Sequence, residues 1–540
     1  MNQLSWWRGA VIYQVYPRSL MDSNGDGVGD LQGIISKLDY IASLNVDAIW
    51  ISPFFKSPMK DFGYDISDYR AIDPLFGTMS DFEQLIDKAH ELNIKVIIDQ
   101  VLSHTSDQHR WFIESRQDRV NPKQDWYVWA DPKEDGTAPN NWLAIFGGCA
   151  WEWEPRRQQY YLHNFLTSQP DLNFHNSDVR AAVLDNVKFW LDKGVDGFRL
   201  DAITFCYHDE LLRDNPAKPK DKRQGRGFSE DNPYAYQYHY YNNTRPQTVG
   251  FIEALRGLVD RYPGVVTLGE VSSEDSLATM AEYTQGEGRL HMAYSFELLT
   301  DDFSPRYIRE TVEALEHSIG DGWPCWAIGN HDVQRVASRW GKAHFNADMG
   351  KMLNAMLCSL RGSVCSYQGE ELGLTEVDIS FEQLQDPFGI AFWPMFKGRD
   401  GCRTPMPWIQ EASQAGFSDS EAWLPIAPSH LSLAVDVQDS DQNSILSSYR
   451  KMLAWRGQYP ALVNGDIKFI QSTENVLLFE RRYQDSVILV GFNFTNSPAS
   501  IHVEAGERWA VIEGHDLPKA VLSDGKIQFS PFGCFYAELR

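Results

Sequence analysis

The chain is predicted to be an α/β protein built on a (β/α)₈ barrel (TIM barrel), with a small domain inserted after the third strand and an antiparallel β-sandwich at its C-terminus. Three observations predict this. Short strands that are apolar throughout alternate with amphipathic helices, the pattern of a parallel sheet covered on both faces. Eight such strands can be counted, the number that closes a barrel. From about Asp466 the helical spacing gives way to short alternating strands such as Val476–Glu480 and Ser486–Val490.

The first strand is Val11–Tyr16, followed by a helix with Leu31, Ile34, Ile35, Leu38 and Ile41 on one face. Asp47–Pro53 is the second strand. The next helix opens on a capping-box pattern, Ser80 with Glu83, and runs to about Leu92. Lys95–Asp99 is the third strand. The rhythm then pauses for residues 104–173, a stretch rich in Trp, Asn, Pro and Gly and too long for an ordinary loop. It resumes with a helix near Val179–Asp192 and the strand Gly194–Ala202. A polar, Tyr-rich insertion covers roughly Tyr207–Thr248. The remaining strands are Val265–Glu270, Met292–Phe296, Trp326–Ile328 and Val364–Gly369. The expected division is a barrel from residues 1–103 and 174–465, an inserted domain over 104–173 and a β domain over 466–540.

Composition narrows the function. A net charge of -25 disfavours nucleic acid and anionic membrane surfaces, which demand Lys and Arg patches. The seven cysteines are scattered, odd in number and without a C-x-x-C pair, which favours a reducing compartment over a disulfide framework. Met1–Pro17 lacks the basic start and clean apolar run of a signal peptide, and no apolar stretch approaches the ~20 residues that cross a bilayer. The expectation is a cytoplasmic protein, monomer or homodimer, whose partner is a small molecule.

The chemistry collects at the carboxyl ends of the strands. Arg199 and Asp201 stand two residues apart, so strand alternation sends both to one face with Leu200 turned away. Asp99 and His104 follow the third strand, Glu270 ends the fifth, and His331 with Asp332 follows the seventh. In a (β/α)₈ barrel all these ends face one mouth, where catalytic residues collect.

The ordered set Asp99–His104, Gly197–Asp201, Gly269–Glu270 and Asn330–Asp332 resembles the motifs of glycoside hydrolase family 13, the α-amylase family. The resemblance implies Asp201 as nucleophile, Glu270 as general acid/base and Asp332 as transition-state stabiliser. Arg199, His104 and His331 would hold the first glucose ring, with Asp99 supporting them from below. Such chemistry passes through an oxocarbenium-like state between two carboxyl groups roughly 5–5.5 Å apart, with a covalent glycosyl intermediate and retention of configuration. Arg199 should keep Asp201 ionised, and Glu270 should have a raised pKa. Where the family usually places Asn before its first-motif His, this chain has Ser103.

Gly63-Tyr64-Asp65 and Gly398-Arg399-Asp400 resemble the stretches with which exo-acting α-glucosidases of the family grip the far side of a terminal glucose. On that basis Tyr64, Asp65 and Arg399 would close the pocket, with Phe146 and Phe165 as candidate walls. Gln169–Asn173 looks like the motif of the oligo-1,6-glucosidase group, which also contains maltose-type α-glucosidases. In that group a bulky Val after the nucleophile accompanies α-1,6 cleavage; Ala202 here favours α-1,4 bonds. The expected function is a retaining exo-α-glucosidase acting on short α-1,4-linked substrates, with a glucosyltransferase of the same family or an α-1,6-specific enzyme as alternatives. A non-catalytic accessory protein on the same barrel is expected to lack the three carboxylates.

No cofactor is expected in catalysis. The loop Asp22–Asp30 carries oxygen ligands at alternate positions, as a calcium loop does, although Gly33 stands where an EF-hand has Glu. The resemblance implies a structural Ca²⁺ (or Mg²⁺) held by Asp22, Asn24, Asp26, the Val28 carbonyl and Asp30.

Overall fold

The computed structural model describes residues 5–223, 231–503 and 508–540. Residues 1–4 of the expected barrel segment, 224–230 of the second insertion and 504–507 of the C-terminal segment lie outside the described residues.

Eight parallel strands form the barrel: β1 (Val11–Val15), β2 (Ala48–Ile51), β3 (Lys95–Val101), β4 (Gly197–Asp201), β5 (Val266–Val271), β6 (Met292–Ser295), β7 (Cys325–Trp326) and β8 (Ser363–Tyr367). They run β6-β5-β4-β3-β2-β1-β8-β7 around the sheet, and a parallel bridge between Ala293 and Pro324 closes it. Helices including Leu31–Ser43, Met79–Glu91, Ser177–Asp192 and Gln247–Val259 cover the outside.

Strand alternation sorts the residues into two cores. Ile49, Val96, Ile98, Phe198 and Leu200 pack outward under the helices, whereas Ile12, Ala48, Trp50, Ile97, Val266, Leu268, Met292 and Tyr294 fill the barrel. The next inward positions along the same strands are Asp99, Arg199, Asp201 and Glu270. Register lays Asp99 beside Arg199, Val101 beside Asp201 and Glu270 beside Tyr294. Gly197 lets β4 approach its neighbour, because a Cβ there would stand 2.9 Å from the Val266 carbonyl oxygen.

The helix Met79–Glu91 is capped two residues earlier than its sequence pattern suggests. Thr78 and Asp81 form the capping box, Thr78 accepting from the Asp81 amide and Asp81 accepting from the Thr78 amide. Ser80 lies inside the helix, where Gln84 donates to its hydroxyl and carbonyl.

Between β3 and β4, the short strands Trp129–Ala130, Trp151–Glu154 and Gln159–Leu162 make a three-stranded antiparallel sheet around Trp142. The C-terminal segment holds a five-stranded and a three-stranded antiparallel sheet, and Val476, Leu478, Leu489, Ile501, Ile527 and Phe529 form its apolar filling. Arg481, fully buried, ties this domain to the barrel by donating to the carbonyls of Ser359, Leu360 and Leu462. Among the described residues, no helix is long and apolar enough to cross a membrane.

Candidate active site

A cavity of about 750 Å³ opens at the carboxyl ends of the strands. Asp201, Glu270, Asp332, Tyr64, His104, Phe146, Phe165 and Arg399 all line it. The structure thus brings together all three expected catalytic carboxylates and most of the expected binding residues. Phe146 and Phe165 meet edge-on at 5.9 Å, and the Arg399 guanidinium lies over the Phe146 ring at 5.0 Å.

Arg199 is the hub beneath the cavity floor. It is fully buried, stacks over Trp50 at 4.8 Å, and donates to Asp201 at 2.5 Å, to Asp99 at 3.0 Å, and to Glu270. The sequence reading set Arg199 beside Asp201 and against the first glucose ring, whereas it lies beneath the residues that line the cavity. The structure corrects this: one cation serves three carboxylates. Burial raises Asp201 to about 7 even though Arg199 works in the opposite direction, and Asp99 is raised to about 6 for the same reason. Asp99 and Asp201 therefore titrate together, both above the ordinary carboxylate range.

Glu270 has its pKa raised to about 7 by burial, opposed by Arg199 and reinforced by Asp201 and Asp332. Its Oε1 accepts from Arg199 and from Tyr294 at 3.0 Å, while Oε2 accepts from the Ala202 amide at 3.0 Å. The charged contacts therefore fall on Oε1, which leaves Oε2 to carry an acidic proton. Ala202 sits at φ 43 and ψ 41, in the left-handed region that a non-glycine residue occupies only at some cost. That turn aims its amide at Glu270.

Asp332 is the anionic member. Burial would raise it, but the permanent charges of Arg399 and Arg403, both 3.1 Å from Oδ1, hold it well below the ordinary carboxylate range. His331 is pushed down to about 3 by burial, which keeps the ring neutral. Its Nε2 meets the Tyr64 hydroxyl at 2.6 Å, and Tyr64 donates onward to Asp99 at 3.1 Å. His104, lowered to about 4 by burial, contacts the Tyr64 carbonyl oxygen through Nε2 at 3.0 Å.

Asp65 is where the structure departs from the sequence reading. It is fully buried and turned away from the cavity: its carboxylate accepts from the Ser57 hydroxyl at 3.0 Å and from the amides of Lys60 at 2.9 Å and Asp61 at 3.0 Å. The cavity residue is Asp61, which takes Arg399 at 2.8 Å and Gln169 Nε2 at 3.0 Å. Gly63, at φ 106, turns the chain between the two aspartates, so they face different ways. Asp386, fully buried, holds Arg399 from behind at 2.8 Å. Asp61 and Gln169, which line the cavity, and Asp386 and Arg403, which hold Arg399 and Asp332, are candidate site residues that sequence reasoning missed. The Asp-x-Gly-Tyr-Asp stretch carried a signal for one of two aspartates without indicating which.

In the first loop, Asp22 accepts from the amides of Asn24, Gly25 and Gly27 and from the Ser418 hydroxyl. Asn24 accepts from the Asp26 amide, and Asp26 from the Val28 amide. Asp30 is the N-cap of the following helix, accepting from the Gly33 amide at 2.7 Å. Gly33 explains the departure from an EF-hand, because a Cβ there would stand 1.8 Å from the Met21 carbonyl oxygen. The donors are all hard oxygens, as Ca²⁺ requires. Among the described residues, however, no three His, Cys, Asp or Glu side chains converge as a metal cluster.

Comparison with known proteins gives the family. The model of the alpha amylase catalytic domain matches residues 14–465, so the chain belongs to the α-amylase family, glycoside hydrolase family 13. A probable alpha-glucosidase of Rhizobium meliloti (strain 1021) is 51% identical over 537 residues, 99% of this chain and 97% of that one. An oligo-1,6-glucosidase of Heyndrickxia coagulans is 35% identical, covering 94% and 96%. These relatives place the chain in the α-glucosidase group of the family, as a glycoside hydrolase. Among solved structures, the α-glucosyl transfer enzyme XgtA superposes with a TM-score of 0.98 at 63% identity over 100% of both chains. The trehalulose synthase MutB from Pseudomonas mesoacidophila MX-45 does so at 0.88 and 30%, over 99% of both.

The pKa of Glu270 has a consequence for pH. Activity that needs a protonated Glu270 is expected to fall as pH rises through about 7. Stability follows the same group: with its folded pKa raised, the native state binds more protons than the unfolded chain up to about 7, so stability declines as pH rises through that window. Glu270→Gln should therefore raise Tm by about 1–3 °C at pH 8 and leave it unchanged at pH 5, read by calorimetry. An equal effect at both pH values would contradict the assignment.

Proposed function

We propose that the protein is a retaining, exo-acting α-glucosidase that releases α-glucose from short α-1,4-linked substrates through a covalent glucosyl–Asp201 intermediate. The observation that carries this reading is a cavity with Asp201, Glu270 and Asp332 on its rim and the Asp61–Arg399 pair across one side. A terminal glucose would sit with its far hydroxyls against Asp61 and Arg399 and its C1 toward Asp201. Asp201 attacks C1 while Glu270 protonates the departing oxygen; Glu270 then takes a proton from water as that water displaces Asp201. Asp332, kept ionised by Arg399 and Arg403, would stabilise the positive charge developing on the ring. Ala202, on the cavity wall, leaves room for the α-1,4 geometry.

A second reading, in which an acceptor alcohol replaces water and the enzyme is chiefly a glucosyltransferase, is favoured by the 63% identity to an α-glucosyl transfer enzyme. Incubation with maltose, isomaltose, trehalose and sucrose, with NMR of the first anomer released, tests both. Initial α-glucose and a preference for maltose support the first reading; accumulation of new glucosides with little free glucose supports the second. A β-anomer as first product would overturn the retaining mechanism, and preference for isomaltose would overturn the inference from Ala202.

A cytoplasmic location is proposed from the cysteines, all seven of which are free thiols. A structural Ca²⁺ (or Mg²⁺) at the first loop is proposed on its donor set: Asp22, Asn24, Asp26, the Val28 carbonyl and Asp30. Binding would stabilise the fold by about 2.7 kcal/mol at a hundredfold excess over Kd. Added Ca²⁺ should raise Tm and EDTA should lower it; a Tm indifferent to both would exclude the site.

A further inference from the structure

A second cavity, of about 870 Å³, adjoins the catalytic one: Ser272 and Phe296 line both. Its outer wall comes from the insertion after β4, which contributes Lys218, Lys222 and Tyr238, and Glu274 faces them from the loop after β5. Lys218 pairs with Glu274 at 2.6 Å, and its ammonium stands 5.0 Å from the centre of the Tyr238 ring. Glu274 also accepts from the His239 amide at 3.0 Å, so it holds the insertion against the barrel. His239 is lowered to about 4 by burial and stacks on Tyr234, which keeps it neutral. Among the described residues that line the chamber, two lysines face one glutamate, with Lys222 carrying the exposed charge.

The charge runs against the rest of the molecule. The protein carries -25 overall, yet Lys218, Lys220, Lys222 and Arg223 fall within six residues with Asp221 as the lone acid. Local positive potential beside an active-site mouth concentrates anions there. A neutral disaccharide gains nothing from it.

We infer that this chamber receives the acceptor in a glucosyl-transfer reaction, and that the acceptor class it selects is a small hydroxylated carboxylate, held by Lys222 and Lys218 with its hydroxyl directed past Ser272 toward Glu270. The inference rests on the covalent glucosyl–Asp201 reading. In the transfer step Glu270, as carboxylate, takes the proton from the acceptor hydroxyl. The acceptor oxygen forms a bond to C1, the bond between C1 and the Asp201 oxygen breaks, and Asp201 leaves as a carboxylate. The product is an α-glucoside of the hydroxy acid, with Glu270 protonated for the next cycle.

The test pairs glycerol with glycerate, which differ in the carboxylate, and adds glycerol phosphate, all with maltose as glucosyl donor. Transfer is read as the ratio of glucoside formed to glucose released. Glycerate is expected to exceed glycerol about threefold to fivefold, the range of a partly exposed ion pair, and the preference should shrink in high salt. Lys222→Gln should bring the ratio close to one, Lys222→Glu should invert it, and neither should change maltose consumption in the absence of acceptor. Greater transfer to glycerol phosphate than to glycerate would replace the carboxylate by phosphate as the selected group. Equal transfer to glycerol and glycerate by the wild-type protein, a preference untouched by both variants, or no transfer to any acceptor would overturn the inference while leaving hydrolysis intact. Absence of any glucose release from maltose and the other α-glucosides would instead count against the glucosidase reading itself.

Discussion

Asp201→Ala is expected to lower turnover of maltose or an aryl α-glucoside by about 10⁴-fold or more, the scale seen when a nucleophile that acts with a coupled partner is removed. The fold should survive. Asp201 sits at the end of β4 with a single hydrogen-bond donor, Arg199, and that donor also serves Asp99 and Glu270. Removing one of three carboxylates that crowd one guanidinium relieves burial of excess negative charge. The Tm of the variant should therefore equal or exceed that of the wild type. A small external nucleophile such as azide, entering the space left by the carboxylate, would attack C1 from the same face. It should give a β-configured glucosyl azide, visible by NMR. Wild-type-like activity in the alanine variant, or azide products of α configuration, would remove Asp201 from the nucleophile's role.

The barrel was legible because its strands are short, apolar and separated by helices with a clear face, and all eight expected strands are present within three residues of their ends. The convergence of the candidate carboxylates was legible for the same reason. Strand parity puts Arg199 and Asp201 inward with Leu200 outward, and the structure places them so. Sharing was not legible. Nothing in the Arg-x-Asp pattern reveals that Asp99 and Glu270 compete for the same guanidinium, because that depends on register between strands distant in sequence. The helix cap at Thr78 was missed through a different ambiguity: two overlapping capping patterns lie two residues apart, and only packing selects between them. Asp386 caps the short helix Pro387–Phe392 and Arg403 follows the single 3₁₀ turn Asp400–Cys402, elements too short to show a periodicity in sequence.

The aspartates flanking Gly63 and Tyr64 offer the second large effect, because the structure gives them opposite duties. Asp61 faces the cavity and pairs with Arg399 at 2.8 Å, both residues almost wholly buried. Truncating Asp61 removes one of the three carboxylates that hold Arg399, and with it a charged acceptor facing the cavity, a loss worth several kcal/mol when the group contacts its ligand. Asp61→Ala should accordingly reduce kcat/KM for maltose by about 10²–10³-fold. Its Tm should change little, since Arg399 keeps Asp386 and Asp332 as partners. Asp65→Ala should show the reverse balance. Asp65 accepts from the part-buried amide of Lys60 and the buried amide of Asp61, and orphaning the buried donor costs about 1–3 kcal/mol. A fall of several degrees in Tm is expected, with activity reduced mainly through displacement of the Asp61 loop. The two variants are separated by measuring Tm and kcat/KM on the same preparations. If Asp65→Ala lost activity more steeply than Asp61→Ala while keeping its Tm, Asp65 would contact substrate after all, and the loop would have to turn over on binding.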